Sequence, residues 1–466
     1  MDIAVGKLCF DSRKVTKGDL FVATKGTQTD GHTFISEVIK KGAGVIVCEE
    51  WPDIKEGKCT ILQVLNSHEI LSRMASNYYD RPSEKLQLVG VTGTNGKTTI
   101  ASLLYQLFTN LGYKCGLLST INTRVAGKIA EATHTTPDPL QINYLLSEMV
   151  AAGCEYVFME VSSHAAHQRR IGGLKFAGGI FTNLTHDHLD YHLSFRAYLA
   201  AKKIFFDGLP KESFALVNAD DKNSKIMVQN CKAKIYTYSV KTMSDFKARV
   251  LESHLEGNLL RIGQKEMWTR LPGVFNAYNV LAIYASAILL NVNTDELYSE
   301  ISKLESVSGR FEIIRSTGGI TAIVDYAHTP DALENVLKTI RGIKTNENRL
   351  ITIVGAGGNR DKSKRPLMAR IAASLSDKLV LTSDNPRNEE PESILNDMKA
   401  GLDPALEQKM ISITDREEAI RATCSFAEKN DIILLAGKGH ETYQEIKGVK
   451  HHFDDREMVR KYLENK

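Results

Sequence analysis

No apolar run in this 466-residue chain reaches the ~18 residues that a membrane-spanning helix needs. The opening MDIAVGKLCFDSRK has no long apolar stretch either, so it does not read as a secretory signal, and a cytoplasmic protein without membrane insertion is expected. Cysteine is sparse: seven residues, at 9, 48, 59, 115, 154, 231 and 424, with no Cys-x-x-Cys pair. Scattered thiols of this kind argue against a disulfide framework or a cysteine zinc site and fit reduced, buried side chains. Net charge is only +3, which argues against nucleic acid as the main partner. Short-period repeats and low-complexity tracts are missing as well.

What is present is the balance of a globular protein, 42% hydrophobic and 25% charged. The length is too great for one ordinary core and suggests about two to four domains. Strand-like runs alternate with helical segments: GVIVC (44–48), LQLVGV (86–91), YVFMEV (156–161), GGIFTNL (178–184), ITAIVDYA (320–327), RLITIVGA (349–356), KLVLTSD (378–384) and DIILLAG (431–437). Near-continuous apolar strands between helices predict an α/β protein with mainly parallel sheets covered on both faces. Breaks at YYDRPSEK (78–85) and LESVSGRFE (304–312) divide it into three expected domains, 1–83, 84–307 and 308–466.

LVGVTGTNGKTT (88–99) departs from the usual phosphate loop, which would place a glycine where Val91 stands. Gly90 comes one place early and Gly93 two late. The context is nevertheless right, with a strand ending at Val91, a glycine turn, and then the helical KTTIASLLYQLF. Backbone N–H groups and the helix dipole there attract an anion, Lys97 reaches the terminal phosphates and the Thr98 hydroxyl can hold Mg²⁺. The plainer reading is a turn with an exposed lysine. Glu160 ends the buried run YVFME, where a carboxylate needs a cation or donors unless it faces solvent.

FTNLTHDHLDYHL gathers His186, His188 and His192 with Asp187 and Asp190. His188 and His192 are four apart and could share zinc on a helix face, but Leu189 replaces the glutamate of a zinc-protease motif. Helix capping by an aspartate, or one imidazole beside a nucleotide's Mg²⁺, are the other readings. Lys202, in AYLAAKKIFF, reads from the residues alone as a solvated helix lysine. IVGAGGNRD invites a dinucleotide reading, which Arg360 breaks by standing where the third glycine belongs.

Taken in order, TGTNGKTT, HTTPDP, MEVSSHA, FTNLTHDHLDYH, LPGVFNAYN, SGRFE, VDYAHTPD, GGNRDKSKRPLM, DNPRNEEP and AGKGHETYQ resemble the Mur ligases of bacterial cell-wall synthesis. The resemblance runs from FDSRKVTKGDLFVATKG to FDDREMV, and the family spells its loop Gly-Thr-Asn-Gly-Lys-Thr. It implies a small N-terminal α/β domain for the UDP end of the substrate, a central P-loop ATPase domain and a C-terminal Rossmann-like domain for the incoming amino acid. The implied reaction uses ATP and Mg²⁺. The D-glutamate carboxylate of UDP-MurNAc-L-Ala-D-Glu takes the γ-phosphate, and an amine then displaces phosphate from the acyl phosphate.

The site residues follow from the same resemblance. Gly93, Thr94, Asn95, Gly96, Lys97, Thr98, Thr99, Asn276, Asn279, Arg310 and Asp325 are implied for ATP. Thr98, Glu160, His188 and a carbamate on Lys202 are implied for metal, with Lys97, Glu160, His188 and Lys202 central to catalysis. Ser12, Thr135, Thr136, Ser162, Gln168 and Arg170 are implied for the UDP-linked substrate. Arg360, Asp384, Asn385, Pro386, Arg387, Gly437 and Glu441 are implied for the amino acid, and Asp-Asn-Pro-Arg points to meso-diaminopimelate over L-lysine. A monomer is implied. Asn359, where aspartate is usual, His134, where asparagine can occur, and an abrupt N-terminus depart from the pattern. A folylpolyglutamate synthase would share the ATPase core but lack the N-terminal domain; a P-loop switch or motor would leave Arg360, Arg387 and Glu441 unexplained.

Overall fold

The computed structural model describes residues 4–26, 29–53, 59–131, 134–345 and 347–464; the first three residues of the abrupt N-terminus lie outside them. Leu8–Cys9, Leu20–Val22, Val45–Cys48 and Thr60–Gln63 form a four-stranded parallel sheet in chain order. Phe21, Val22, Ile46 and Val47 are fully buried on its two faces. Helix Ser67–Tyr78 leaves this sheet and is tied to the next by Ser72 Oγ donating to Arg169 O at 2.6 Å and Ser76 Oγ to Gly173 O at 3.1 Å.

The central sheet has a parallel core in the order Lys234–Ser239, Phe214–Asn218, Gly178–Phe181, Gln87–Thr92, Tyr156–Glu160, Cys115–Leu118. Gln87–Thr92, which feeds the glycine loop, is therefore an inner strand. Its register sets Val91 beside Glu160 and Thr92 beside Phe181, so a carboxylate is level with the start of the loop. Antiparallel strands Asn122–Val125 and Lys128–Glu131 extend one edge; on the other, Phe246–His254 joins Lys234–Ser239 in parallel and carries antiparallel Gly257–Ile262 and Lys265–Thr269.

The third sheet runs Glu312–Arg315, Thr321–Asp325, Ile432–Ala436, Leu350–Val354, Lys378–Leu381, Met410–Ser412, with only the first strand antiparallel. Register puts Asp325, Ala436, Val354 and Leu381 level. The segments beginning at Gly355, Thr382 and Gly437 thus all emerge at the carboxyl edge, where open α/β sheets bind ligands. All eight strand runs expected from the sequence are present, and the fold is α/β with three sheet-centred units. The edge strands of the central sheet were not among those expectations. Phe246–His254 is mostly half-exposed or exposed, so it lacks the continuous apolar run that marks a buried parallel strand. Among the described residues, no helix is long and apolar enough to cross a membrane.

Candidate active site

The odd glycine spacing has a packing cause. Gly90 lies within the buried strand, and a Cβ there would stand 2.5 Å from Phe205 Cζ. Glycine lets helix Phe195–Asp207 press against the strand, and that helix carries Lys202. Gly93 takes φ 148° and Gly96 φ 89°, backbone that side chains disfavour, and a Cβ on Gly93 would stand 1.9 Å from Thr182 Oγ1. Thr94 N and Asn95 N donate to Asn183 O and Oδ1 at 2.8 and 2.9 Å, and Thr182 Oγ1 donates to Asn95 O at 2.6 Å. Helix Lys97–Asn110 starts at once, leaving its first N–H groups toward the loop. Lys97 is half-buried, not exposed: its Nζ folds over the loop and donates to Gly93 O at 2.9 Å and Thr94 O at 2.8 Å.

Glu160 is fully buried and faces donors instead of solvent. It accepts from Thr98 Oγ1 at 3.0 Å, Thr120 N at 2.6 Å and Thr120 Oγ1 at 3.1 Å. Arg310, from the third unit, reaches across to donate from Nη2 to Thr98 Oγ1 at 3.1 Å, and its guanidinium stacks 4.5 Å over Tyr326. Lys202 is only 1% exposed, which overturns the solvated-lysine reading. Its Nζ donates to Gly93 O at 2.7 Å, the same carbonyl that Lys97 uses. Burial, reinforced by the neighbouring Lys97, drives the Lys202 amine well below its ordinary pKa. Burial likewise lifts Asp325 to about 6 against the pull of Arg310, while its Oδ2 accepts from Phe311 N at 2.7 Å.

The histidine cluster resolves into separate partners. His188 precedes the turn Leu189–His192 in left-handed backbone, with Nε2 3.4 Å from Asp187 Oδ2. Burial pushes it down to about 3, against the opposing charge of Asp187. His192 is buried and pairs through Nε2 with Ser163 Oγ at 3.0 Å. Each of the two is thus engaged with a different partner, Asp187 and Ser163.

Two cavities meet here. The first, of about 590 Å³, is lined by Thr94 through Thr99, Glu160, His188, Lys202, Asn276, Asn279, Arg310 and Asp325, drawing on the second and third units. The second, of about 390 Å³, is lined by His134, Thr136, Arg170, Arg360, Asp384, Asn385, Arg387, Gly437 and Glu441. They share one wall: Thr135, Ser162, Asp187, His188, Tyr326 and His328. Thr136 Oγ1 donates to Glu160 O at 2.8 Å and accepts from Ser162 N at 3.1 Å, and Arg170 Nη1 donates to Thr136 O at 2.7 Å. Gln168 braces Arg170, accepting from its Nε at 2.9 Å, without lining either cavity.

On the far side of the second cavity, Asn385 Nδ2 donates to Glu441 Oε2 at 2.8 Å. Gly437 takes φ 115°, and a Cβ there would stand 2.7 Å from Asp384 Oδ2. Burial alone would raise the Asp384 carboxyl, but Lys438 and Arg416 outweigh it and hold it low. Burial and the charge of Asp384 raise Glu441. Asn359 accepts through Oδ1 from Asn388 N at 3.0 Å, a bond that an aspartate could make equally well.

Two further sequence-derived residues lie outside both cavities. Ser12 lines neither cavity; its carbonyl accepts from Lys41 Nζ at 2.9 Å within the N-terminal unit. Pro386 also lines neither, and shapes the loop between Asn385 and Arg387. Three contributors escaped sequence reasoning. Thr120 supplies two of the donors to Glu160. Asp331 bridges the units by accepting from Asn95 Nδ2 at 2.9 Å. Lys438 is fully buried, with Nζ 3.3 Å from Glu441 Oε2. Lys438 alone had a signal, a lysine between glycines just after the buried strand IILLA.

Three family models match the chain: one described as Mur ligase family, catalytic domain, over residues 5–79, Mur ligase middle domain over 91–287, and Mur ligase, glutamate ligase domain over 309–439. A protein of Cytophaga hutchinsonii named UDP-N-acetylmuramoyl-L-alanyl-D-glutamate--2,6-diaminopimelate ligase is 56% identical over 464 residues, 99% of this chain and 95% of the relative. The chain belongs to the Mur ligase family. A solved structure of a UDP-N-acetylmuramoyl-L-alanyl-D-glutamate--2,6-diaminopimelate ligase superposes on this Mur ligase with a TM-score of 0.69 at 33% identity, covering 98% of this chain and 94% of that one. The MurF ligase from Thermotoga maritima in complex with ADP shares the fold, with a TM-score of 0.63 at 18% identity over 100% of this chain and 98% of that one. The match over 5–79, together with the sheet it covers, supplies the N-terminal unit that a folylpolyglutamate synthase was expected to lack.

Proposed function

We propose that this Mur ligase joins meso-diaminopimelate to the D-glutamate carboxylate of UDP-MurNAc-L-Ala-D-Glu, cleaving ATP to ADP and phosphate. The observation that carries the reading is the shared wall between the two cavities. A triphosphate on the loop and an amino acid beside Arg387 and Glu441 would meet at Thr135, Ser162 and His188. The glutamate carboxylate of the substrate, arriving between them, attacks the γ-phosphorus; the bond to the β-phosphate oxygen breaks and ADP leaves. The amine of the amino acid then attacks the acyl carbon, the C–O bond to phosphate breaks, and the amine gives up a proton as the amide forms.

Positioning and charge neutralisation dominate such a sequence. The loop amides hold the phosphates, and Lys97 releases its two loop carbonyls to meet the γ-phosphate. Arg310 brings a second cation to Thr98, at the mouth of the loop. Arg170, anchored on Thr136 and Gln168, offers a guanidinium to the substrate's acidic groups. Mg²⁺, when bound, supplies the remaining neutralisation between a carboxylate and a triphosphate. The buried carboxylate of Glu160 and the Thr98 hydroxyl are hard oxygen donors of the kind it takes. Thr98, Glu160, His188 and a Lys202 carbamate would hold it. We place the domain boundaries at 83/84 and 307/308, with Ser12 toward the uridine end, away from the chemistry.

Lys202 supports the carbamate because burial beside Lys97 disfavours its ammonium form, and the neutral amine is the form that adds carbon dioxide. Protein equilibrated with ¹³C-bicarbonate is expected to show a carbamate carbon by NMR that Lys202→Ala lacks. Lys202→Ala is expected to be nearly inactive, with part of the activity restored by a small added carboxylate. An active preparation in which mass spectrometry finds only the free amine would remove this role.

A further inference from the structure

Arg387 is not held by its own loop. Its backbone sits at φ 53°, a left-handed conformation that disfavours any residue with a Cβ. Two backbone bonds bracket it, and both come from the hairpin of Tyr443–Ile446 and Val449–His452. Arg387 N donates to Glu445 O at 3.0 Å, and Lys447 N donates to Arg387 O at 2.7 Å. The same hairpin reaches the two residues that open the Asp-Asn-Pro-Arg run: Gln444 Nε2 donates to Asp384 O at 2.7 Å and Glu445 N to Asn385 Oδ1 at 2.9 Å. Because a backbone N–H can only donate, that last bond fixes which end of the Asn385 amide is oxygen and turns Nδ2 toward Glu441.

The side chain of Glu445 completes the clamp. Its Oε2 lies 3.3 Å from Arg387 Nε, while on the other side Arg387 Nη1 donates to Gly358 O at 2.9 Å. Nη2 takes part in neither contact. The two side chains are 21% and 26% exposed, so the pair is partly shielded from water.

We propose that Glu445 is a positioning residue for amino-acid specificity: it pins Nε so that the Nη2 end of Arg387 serves the second cavity, favouring an amino acid with a carboxylate at its far end. This rests on the reading of Arg387 given above. A guanidinium held on two sides cannot swing into solvent when the ligand lacks an anion, so the mismatch is felt in full; a loosened one can escape it. The hairpin therefore helps set selectivity although no cavity-lining residue belongs to Tyr443–His452.

Glu445→Gln in the full-length enzyme keeps the backbone N–H and the side-chain shape and removes the charge. With meso-diaminopimelate, KM is expected to rise about tenfold while kcat and the KM for ATP stay within about twofold. The preference for meso-diaminopimelate over L-lysine, as a ratio of kcat/KM, is expected to fall by about the same tenfold, the loss of one charge-assisted contact. Glu445→Asp, which retains charge at shorter reach, should keep part of that preference. A variant as selective as the wild type overturns the role of Glu445 alone. Equal losses with both amino acids, accompanied by a lower Tm, would make the residue structural only and overturn it too. A wild-type enzyme with no preference would instead overturn the reading of Arg387.

Discussion

Wild-type enzyme is expected to use meso-diaminopimelate over L-lysine by a factor on the order of 10⁴, and Arg387→Ala to lose most of that ratio while nucleotide binding stays unchanged. The two amino acids differ only by a carboxylate on the far carbon, so discrimination must come from whatever meets that group. Arg387 lines the second cavity along with Asn385 and Glu441, with two of its nitrogens engaged and Nη2 left over. A planar guanidinium grips a carboxylate strongly, and lysine would leave the Nη2 end without one, with only Glu445 beside Nε. Glu441 and Asn385, bonded to each other at 2.8 Å, would take the ammonium at the same centre and so read its configuration. Competition between the two amino acids, measured as kcat/KM, checks this. Comparable use of both would remove the specificity assignment and leave the ligase chemistry standing.

Lys97→Ala is expected to lower turnover by roughly 10²–10³ without unfolding the protein. In the structure Lys97 Nζ is held by two loop carbonyls, a parking place from which it can move to phosphate oxygens. Its charge matters most as the γ-phosphoryl group passes between oxygens, so kcat should fall more than nucleotide affinity. Lys97 does not reach into the hydrophobic core, so Tm should change little. Near-normal phosphate release by the folded variant would contradict this role.

Much of the architecture was legible because buried parallel strands write themselves as continuous apolar runs. Val45–Cys48, Tyr156–Glu160 and Ile432–Ala436 are buried along nearly their whole length. Strands such as Phe246–His254 expose most positions and leave no such trace. Glu160 could be found from residues alone, since a carboxylate closing a buried strand demands donors. Lys202 could not: helix spacing says nothing of the close approach that Gly90 permits, and only the family resemblance marked it. Glu445 and Asp331 act through segments distant in sequence, and no local pattern announces the pairing of a hairpin with a loop some sixty residues away or of a helix start with a phosphate loop.

The central claim is that both cavities serve one reaction, and phosphate release by the purified enzyme tests it most directly. ATP, Mg²⁺, UDP-MurNAc-L-Ala-D-Glu and a panel of amino acids are supplied together and then singly withheld. Sustained phosphate release is expected only when all are present with meso-diaminopimelate, matched mole for mole by the amide product. Equal phosphate release without the amino acid or without the UDP-linked substrate, as a nucleotide switch or motor would give, would contradict it.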